Sequence, residues 1–217
     1  MNIRIHRDFE QRTDKWAQIK SGKTSGSGIK PILSAKSKAP WMTYAYKLIG
    51  QMENKNPATY KGGYLSEAVQ WGVDMEMFAI KAFEKKTGLI VEEVAWVESL
   101  DPKLDGKSGC SPDGIIDIYE WIEVKCLSTE NHIKYVIDNK LPAEYKPQVV
   151  NYFVVNPDLK VVHFILYDPR VKTKSKRLHV IEIKREDLQK DIDKLYDGLV
   201  EFHDLKDQLY KDFLADD

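Results

Sequence analysis

The residues that could do chemistry are concentrated between Ser111 and Lys125. Ser111-Pro112-Asp113-Gly114 closes one segment, and ten residues after Asp113 comes Glu123-Val124-Lys125. Trp121–Cys126 reads as a strand, where side chains alternate between faces. Glu123 and Lys125 therefore project from one face, and Val124 points the other way into the core. An E-x-K triplet alone is common and carries little. Asp113 adds to it, because the preceding hairpin brings this carboxylate to the same sheet. Two carboxylates and a lysine that converge are what metal-assisted phosphodiester hydrolysis requires. The phosphodiester is anionic and repels hydroxide; Mg²⁺ neutralises it, lowers the pKa of a bound water and stabilises the leaving oxygen. Asp113 and Glu123 supply hard oxygen ligands, and the Val124 carbonyl a third. Lys125 is placed to orient or deprotonate the attacking water, although a base with a free-lysine pKa near ~10.4 must first be perturbed. Glu76, beside the Met75, Ala79 and Phe83 face of an earlier helix, borders the core and is a further carboxylate. Each of these acids taken singly reads as a solvated surface group; the assembled set is what carries the argument. An all-oxygen set without a Cys/His cluster favours Mg²⁺, with Mn²⁺ as a substitute.

The elements that must position these groups follow from hydrophobic spacing. Asp14–Lys20 reads as a short helix, Ser21–Ser27 as a Gly/Ser turn, and Trp41–Met52 as a helix. From Ser66 to Thr87, apolar residues at Trp71, Met75, Phe78, Ala79, Ala82 and Phe83 fall at helical spacing, with Gly88 as C-cap. Leu89–Val97 reads as a strand, and Ile115–Tyr119 and Trp121–Cys126 as strands about a turn at Glu120. Glu144–Val155 is predicted helical, with Pro147 tolerated in its first turn. Strands at Val161–Tyr167 and Leu178–Ile183 flank a basic loop, Arg170–Arg177. Leu188, Ile192, Leu195, Leu199 and Phe202 mark a long amphipathic helix. No repeat or interdomain linker appears. One α/β (α+β) domain over residues 1–217 is expected, with a basic helical region over about 1–62 and a C-terminal helix over about 186–213.

Composition excludes several classes. The 217 residues are 42% hydrophobic and 31% charged, an ordinary globular balance. The longest apolar runs are too short to span a bilayer, and no signal-peptide h-region opens the chain. Cys110 and Cys126 alone cannot build a disulfide scaffold, a four-cysteine zinc site or an iron–sulfur cluster; a reduced intracellular protein is the simplest expectation. The net charge of −1 hides an asymmetry, since residues 1–62 carry +8 and the rest −9. A basic first quarter suits phosphate contacts while the acidic end faces away; solvated helix faces would give the same composition. Ser21-Gly22-Lys23-Thr24 has the tail of a P-loop, but Ala17 stands where a glycine is required. The five histidines lack ligand spacing and read as structural. Trp121 and Tyr119 read as core rather than base-stacking platforms.

Gly109-Cys110-Ser111-Pro112-Asp113-Gly114 followed by Ile122-Glu123-Val124-Lys125-Cys126 resembles the phage-lambda-type 5′→3′ exonuclease family, the viral recombinase nucleases of the PD-(D/E)-x-K superfamily. Further matches keep the family's order: Trp16-x3-Lys20-x-Gly22, Ser27, Trp71-Gly72-x3-Glu76, Tyr145-x2-Gln148-Val149 and Tyr167-Asp168-Pro169-Arg170. The resemblance covers nearly the whole chain. It implies a restriction-endonuclease-like core, a central mixed sheet flanked by helices. It implies that Glu76, Asp113 and Glu123 are metal-site acids holding a pair of Mg²⁺ ions, and that Lys125 is the catalytic lysine. Lys20, Ser27, Ser111 and Gln148 match a pocket that grips the 5′-phosphate of the degraded strand, and all four are phosphate-oxygen donors. Val69 matches an apolar wedge that separates the terminal base pairs. Lys20 stands where the family usually has arginine, exchanging a bidentate fork for a point charge, and valine is a shorter wedge than leucine. The implied activity is resection of linear duplex DNA to expose 3′ single strands for recombination. The resemblance also implies a homotrimeric ring around DNA, a single-strand annealing partner, and the cytoplasm of a bacterial host, with phage or prophage origin. A restriction-like or repair endonuclease with the same core, and a non-catalytic DNA-end-binding module, remain open alternatives.

Overall fold

Two small sheets meet at the segment that carries Asp113. The computed structural model describes residues 2–35, 37–56, 58–60, 66–104 and 106–215, without the side chain of Ser27. The first sheet is antiparallel, in the order β1 (Ile3–His6), β2 (Trp96–Ser99) and β3 (Gly109–Cys110). The second is mixed, in the order β4 (Gly114–Ile115), β5 (Glu120–Lys125), β6 (Val161–Tyr167) and β7 (Leu178–Lys184). β5 runs parallel to β6, with Glu123 opposite Phe164 and Lys125 opposite Leu166, and the other pairs are antiparallel. The mixed sheet flanked by helices agrees with expectation. Its division between Cys110 and Gly114 was not legible in the sequence.

β5 is covered on both faces. Ile122, Val124 and Cys126 pack with Ile165 against Ala79, Ile80 and Phe83 of α4 (Glu67–Thr87). On the other face Trp121, Val162, Phe164 and Leu166 join the larger core with α6 (Lys146–Val155) and α7 (Gln189–Phe213). Burial on both faces is why the inner strands are nearly continuous apolar runs rather than alternating ones. α4 starts at Ser66, whose side chain accepts from the Val69 N–H, and stops at Gly88, whose φ of 76° suits the left-handed cap. Phe78 departs from expectation: it lies on the outer side of α4, 54% exposed.

Of the N-terminal helices α1 (Asp14–Lys20), α2 (Lys30–Ser34) and α3 (Ala39–Glu53), α2 and α3 supply Ile32, Leu33, Trp41, Ala45 and Leu48 to the larger core. α5 (Thr129–Asp138), capped by Ser128, follows β5. Three sequence expectations need correction. Residues 89–95 are not strand: Glu92 only bridges Ile115, and pairing proper begins at Trp96. Residues 116–119 form the connection between β4 and β5 instead of extending β4. The last long helix begins at Gln189, after a 3₁₀ turn over Arg185–Leu188. Thr24, Ser108 and His203 form a buried polar knot that ties α7 to the N-terminal segment and to the start of β3. His203 Nε2 lies 2.9 Å from Ser108 Oγ and 3.3 Å from Thr24 Oγ1. Among the described residues no helix is long and apolar enough to cross a membrane.

Candidate active site

Asp113 occupies the short run Ser111-Pro112-Asp113 between β3 and β4, outside both ladders. Gly114 follows it of necessity, since a β-carbon there would lie 2.3 Å from Val91 Cγ1. Asp113 Oδ2 accepts the Val124 N–H at 2.7 Å, which fixes the carboxylate to the middle of the E-x-K triplet. Glu123 is fully buried; its carboxylate accepts from Lys125 Nζ and from Tyr152 Oη. Glu76 enters from α4 and pairs with Arg12 at 2.8 Å.

The electrostatics register this convergence. Burial raises the Asp113 carboxyl well above the usual range; the Glu123 charge raises it further, Lys125 opposes, and Glu76 adds to the rise. Burial lowers the Lys125 ammonium, but Glu123 and Asp113 outweigh it and hold its pKa above the ordinary lysine value. Lys125 is therefore cationic here, a hydrogen-bond donor rather than a ready base. Among the described residues no three His, Cys, Asp or Glu side chains are already gathered into a ligand cluster. The reason is visible in the pairing, since Arg12 draws Glu76 aside while Lys125 and Tyr152 engage Glu123. The donor chemistry nonetheless fits a hard divalent cation. Three carboxylates and the Val124 carbonyl are all oxygen ligands, and the repulsion from Glu123 and Glu76 that adds to the effect of burial on Asp113 is what such a cation relieves. Cys110 and Cys126 are free and buried near these groups but offer no cluster.

Three of the four residues assigned by resemblance to a 5′-phosphate pocket, Lys20, Ser111 and Gln148, have contacts that lead toward this centre. Lys20 Nζ lies 3.4 Å from the centroid of the Trp16 ring, and the Trp16 indole N–H donates to Ser111 Oγ at 2.9 Å. Ser111 Oγ in turn donates to the Ala95 carbonyl at 2.8 Å. Burial lowers the Lys20 pKa to about 8, and no carboxylate among the described residues compensates. Lys23, Arg4 and Arg7 of the basic N-terminal region are instead paired, with Glu98, Glu98 and Glu92. Gln148 Nε2 donates to Tyr152 Oη at 2.9 Å, and Tyr152 Oη, whose single proton is directed at Glu123, lies 3.2 Å from the Ser111 carbonyl. The Ser27 side chain lies outside the described residues; its backbone belongs to the 3₁₀ turn Gly26–Ile29. Val69, seven residues before Glu76 on α4 and thus on a similar face, is 51% exposed.

Three contributors escaped the sequence reading. Tyr152, one helical turn after Gln148, lies within the predicted helix and carries no motif of its own. Gln11 donates to the Val94 and Pro112 carbonyls, both at 2.9 Å, and staples the N-terminal segment to the residue before Asp113. Arg12 had no signal of its own. Tyr119, read as core, is 41% exposed beneath Lys160, whereas Trp121 is fully buried as expected.

Comparison with known proteins now bears on this geometry. The family model of the YqaJ-like viral recombinase domain matches residues 15–157. The chain belongs to that family. Among solved structures it is similar to an alkaline exonuclease (LHK-Exo) from Laribacter hongkongensis, with TM-score 0.72 and 24% identity over 94% of this chain and 99% of that one. The same exonuclease in complex with dAMP matches with TM-score 0.73 and 25% identity, again over 94% and 99%. A phage-related exonuclease from Haemophilus somnus 129PT is more distant, with TM-score 0.53 and 15% identity over 88% of this chain and 96% of that one. No curated protein sequence matches the chain. The shared architecture is the PD-(D/E)XK nuclease fold.

Proposed function

We propose that the chain is a divalent-cation-dependent exonuclease that degrades one strand of linear duplex DNA in the 5′→3′ direction. A nuclease that hydrolyses DNA follows from family and fold. Cation dependence, polarity and a role in recombination are our reading of the site. The observation that carries it is the continuity of two donor sets. The carboxylates of Asp113 and Glu123, with Lys125, share a hydrogen-bonded network with Ser111 and Gln148 through Tyr152.

Asp113, Glu123, Glu76 and the Val124 carbonyl would hold one or two Mg²⁺ ions. When bound, the cation supplies charge neutralisation of the phosphodiester and a water of lowered pKa. The chain's own groups do the rest. Lys20 and Gln148, with the Ser111 hydroxyl turned from the Ala95 carbonyl to the ligand, hold the terminal 5′-phosphate, which sets the next phosphodiester over the carboxylates; positioning of this kind accounts for a large share of catalysis in phosphate-ester chemistry. Lys125, cationic and anchored on Glu123, orients the attacking water and faces the charge that grows on the scissile phosphate. Val69, exposed at the start of α4, is suited to hold the terminal base pair open. Family membership further supports a homotrimer encircling DNA, a single-strand annealing partner and a cytoplasmic location in a bacterial host, over one domain spanning 1–217.

The test compares uniformly labelled linear duplex with covalently closed circular duplex, each with Mg²⁺ and with excess EDTA. Nucleotide release from the linear form alone, abolished by EDTA, is expected. Cutting of the closed circle would favour an internal nuclease instead, and undiminished cleavage in EDTA would remove the cation from the account.

A further inference from the structure

The backbone of Arg12 lies at φ 62°, the left-handed region that a residue with an ordinary L side chain rarely enters. Such a conformation persists only where its surroundings over-determine it, and it concentrates at functional sites. The surroundings here are firm. Gln11 is bonded to the Val94 and Pro112 carbonyls on one side, and Thr13 caps α1 on the other. Residue 12 is therefore held between two anchored neighbours, with its side chain directed into a cleft of about 340 Å³ that Glu76 and Asp113 also line.

Within that cleft the guanidinium Nη2 donates to Glu76 Oε2 at 2.8 Å, with the Arg12 side chain 38% and the Glu76 side chain 25% exposed. The pair faces the opening. A guanidinium has five donors, and this contact uses one edge of it. Arg7, the other cation of the cleft, is committed to Glu92 through two bonds of 2.6 and 3.1 Å. Arg12 is thus the cleft's cation whose partner is itself a candidate cation ligand. A guanidinium and a divalent ion compete for one carboxylate, and the loser is left with donors directed at whatever anion enters the cleft.

We propose that Arg12 is a phosphate-gripping residue, held on Glu76 in the metal-free protein and transferred to the DNA backbone when a divalent cation takes that carboxylate. The proposal rests on reading the site as a cation-dependent nuclease centre. It makes Arg12 and the cation antagonists without DNA and allies with it: each cation bound releases a guanidinium for the substrate, and each phosphate that captures Arg12 frees Glu76 for the cation. The left-handed backbone then has a purpose, because it is what aims a side chain from the turn before α1 across the cleft to α4.

Arg12→Gly removes the guanidinium and suits the backbone, so its melting temperature should equal or exceed that of the wild type. Arg12→Lys keeps the charge without the fork. Titration of DNA-free protein with Mn²⁺ by calorimetry should show Arg12→Gly binding several-fold more tightly than wild type. Binding of 5′-phosphorylated duplex, with Ca²⁺ in place of Mg²⁺, should be about tenfold weaker for Arg12→Gly, and the slope of log affinity against log salt should fall by about one. Arg12→Lys should recover the slope but not the affinity. Unchanged Mn²⁺ affinity, or an unchanged salt slope, in Arg12→Gly overturns the proposal. Asp113→Asn separates the two layers of the argument. If it abolishes Mn²⁺ binding while Arg12→Gly has no effect, only the role of Arg12 is wrong. If wild type binds no Mn²⁺, or Asp113→Asn binds it equally well, the cation site itself fails and the role of Arg12 falls with it.

Discussion

Raising the pH from 7 to 9 should erase much of the preference for phosphorylated 5′ ends, and replacing Lys20 by arginine should restore it. Burial beside Trp16 and Trp96, with no carboxylate among the described residues to compensate, lowers the Lys20 pKa to about 8. A lysine with a lowered pKa is cationic below that value and neutral above it. The protonated fraction is then about 90% at pH 7 and about 10% at pH 9, close to a tenfold loss of the gripping form. A terminal phosphate monoester has its second pKa near ~6, so its charge changes little across the same range. The quantity to measure is kcat/KM, which reports the ionisation of free protein rather than of the complex. Taking the ratio of phosphorylated to hydroxyl-ended substrate cancels the pH dependence common to both, including that of the chemical step. The wild-type ratio should fall by up to about tenfold from pH 7 to 9. An arginine, charged throughout this range, should give a flat and higher ratio because its fork can bind phosphate through two parallel bonds. Lys20→Ala should give a flat, low one. A wild-type ratio that does not move with pH, or an arginine variant that follows the wild-type curve, would show that Lys20 is not the phosphate cation.

Three further expectations concern other parts of the molecule. Lys125→Ala should abolish turnover while leaving DNA-end binding by fluorescence anisotropy largely intact, because an oriented water matters mainly in the transition state; near-wild-type kcat would refute the role. His203, fully buried, has its pKa lowered to about 3, by burial first and then by Lys206 and Lys107. Its unfolded-state pKa is near ~6.5, so the unfolded chain binds the extra proton below that pH and stability falls with pH by ~1.4 kcal/mol per unit, or ~2 kcal/mol at pH 5. Urea unfolding at pH 7 and pH 5 should show His203→Gln losing less than wild type, and parallel losses would exclude His203 as the source. Light scattering should report a trimer of the 25.1 kDa chain; a strict monomer at micromolar concentration that degrades long duplexes processively would contradict the ring.

Where local signals agree, the sequence was legible. Asp14–Lys20 and Val161–Tyr167 come out as read, one closed by a threonine cap and a turn, the other an uninterrupted apolar run between polar neighbours. α4 was legible through its period and its terminal glycine. The failures share a cause, since each depends on a partner distant in the chain. Ile3–His6 alternates charge with apolar residues and becomes a strand only because Trp96–Ser99 lies beside it. Residues 89–95 have strand-like composition but run between α4 and the sheet with a single bridge at Glu92. At the site, the E-x-K spacing and the Pro-Asp-Gly turn are local and were read directly. The Tyr152 hydroxyl that reaches Glu123, 29 residues away, has no local mark. Nor does Arg12, because a left-handed arginine is disfavoured by every local rule and is held there by contacts with residues more than 60 positions on.

The break between the two sheets explains how one short segment serves both donor sets. β3 ends at Cys110 and β4 begins at Gly114, so Ser111, Pro112 and Asp113 belong to neither ladder. Pro112 has no N–H to give a neighbouring strand and cannot continue a ladder. Its carbonyl is satisfied instead by Gln11 and the Asp113 carboxylate by the Val124 N–H, while the Ser111 carbonyl faces the Tyr152 hydroxyl at 3.2 Å. A continuous strand would send Ser111 and Asp113 to the same face and occupy their backbone groups with a partner. Released from pairing, Ser111 joins Trp16 and the Lys20 side while Asp113 turns to Glu123 and Glu76. The cost of leaving the Pro112 carbonyl outside a ladder is offset by the Gln11 side chain, and the Ser111 carbonyl lies against Tyr152 of α6, which also contacts Glu123. Any backbone movement that loosened the break would therefore disturb the phosphate donors and the carboxylates together, whereas single side-chain changes such as Lys20→Ala or Lys125→Ala affect one set alone.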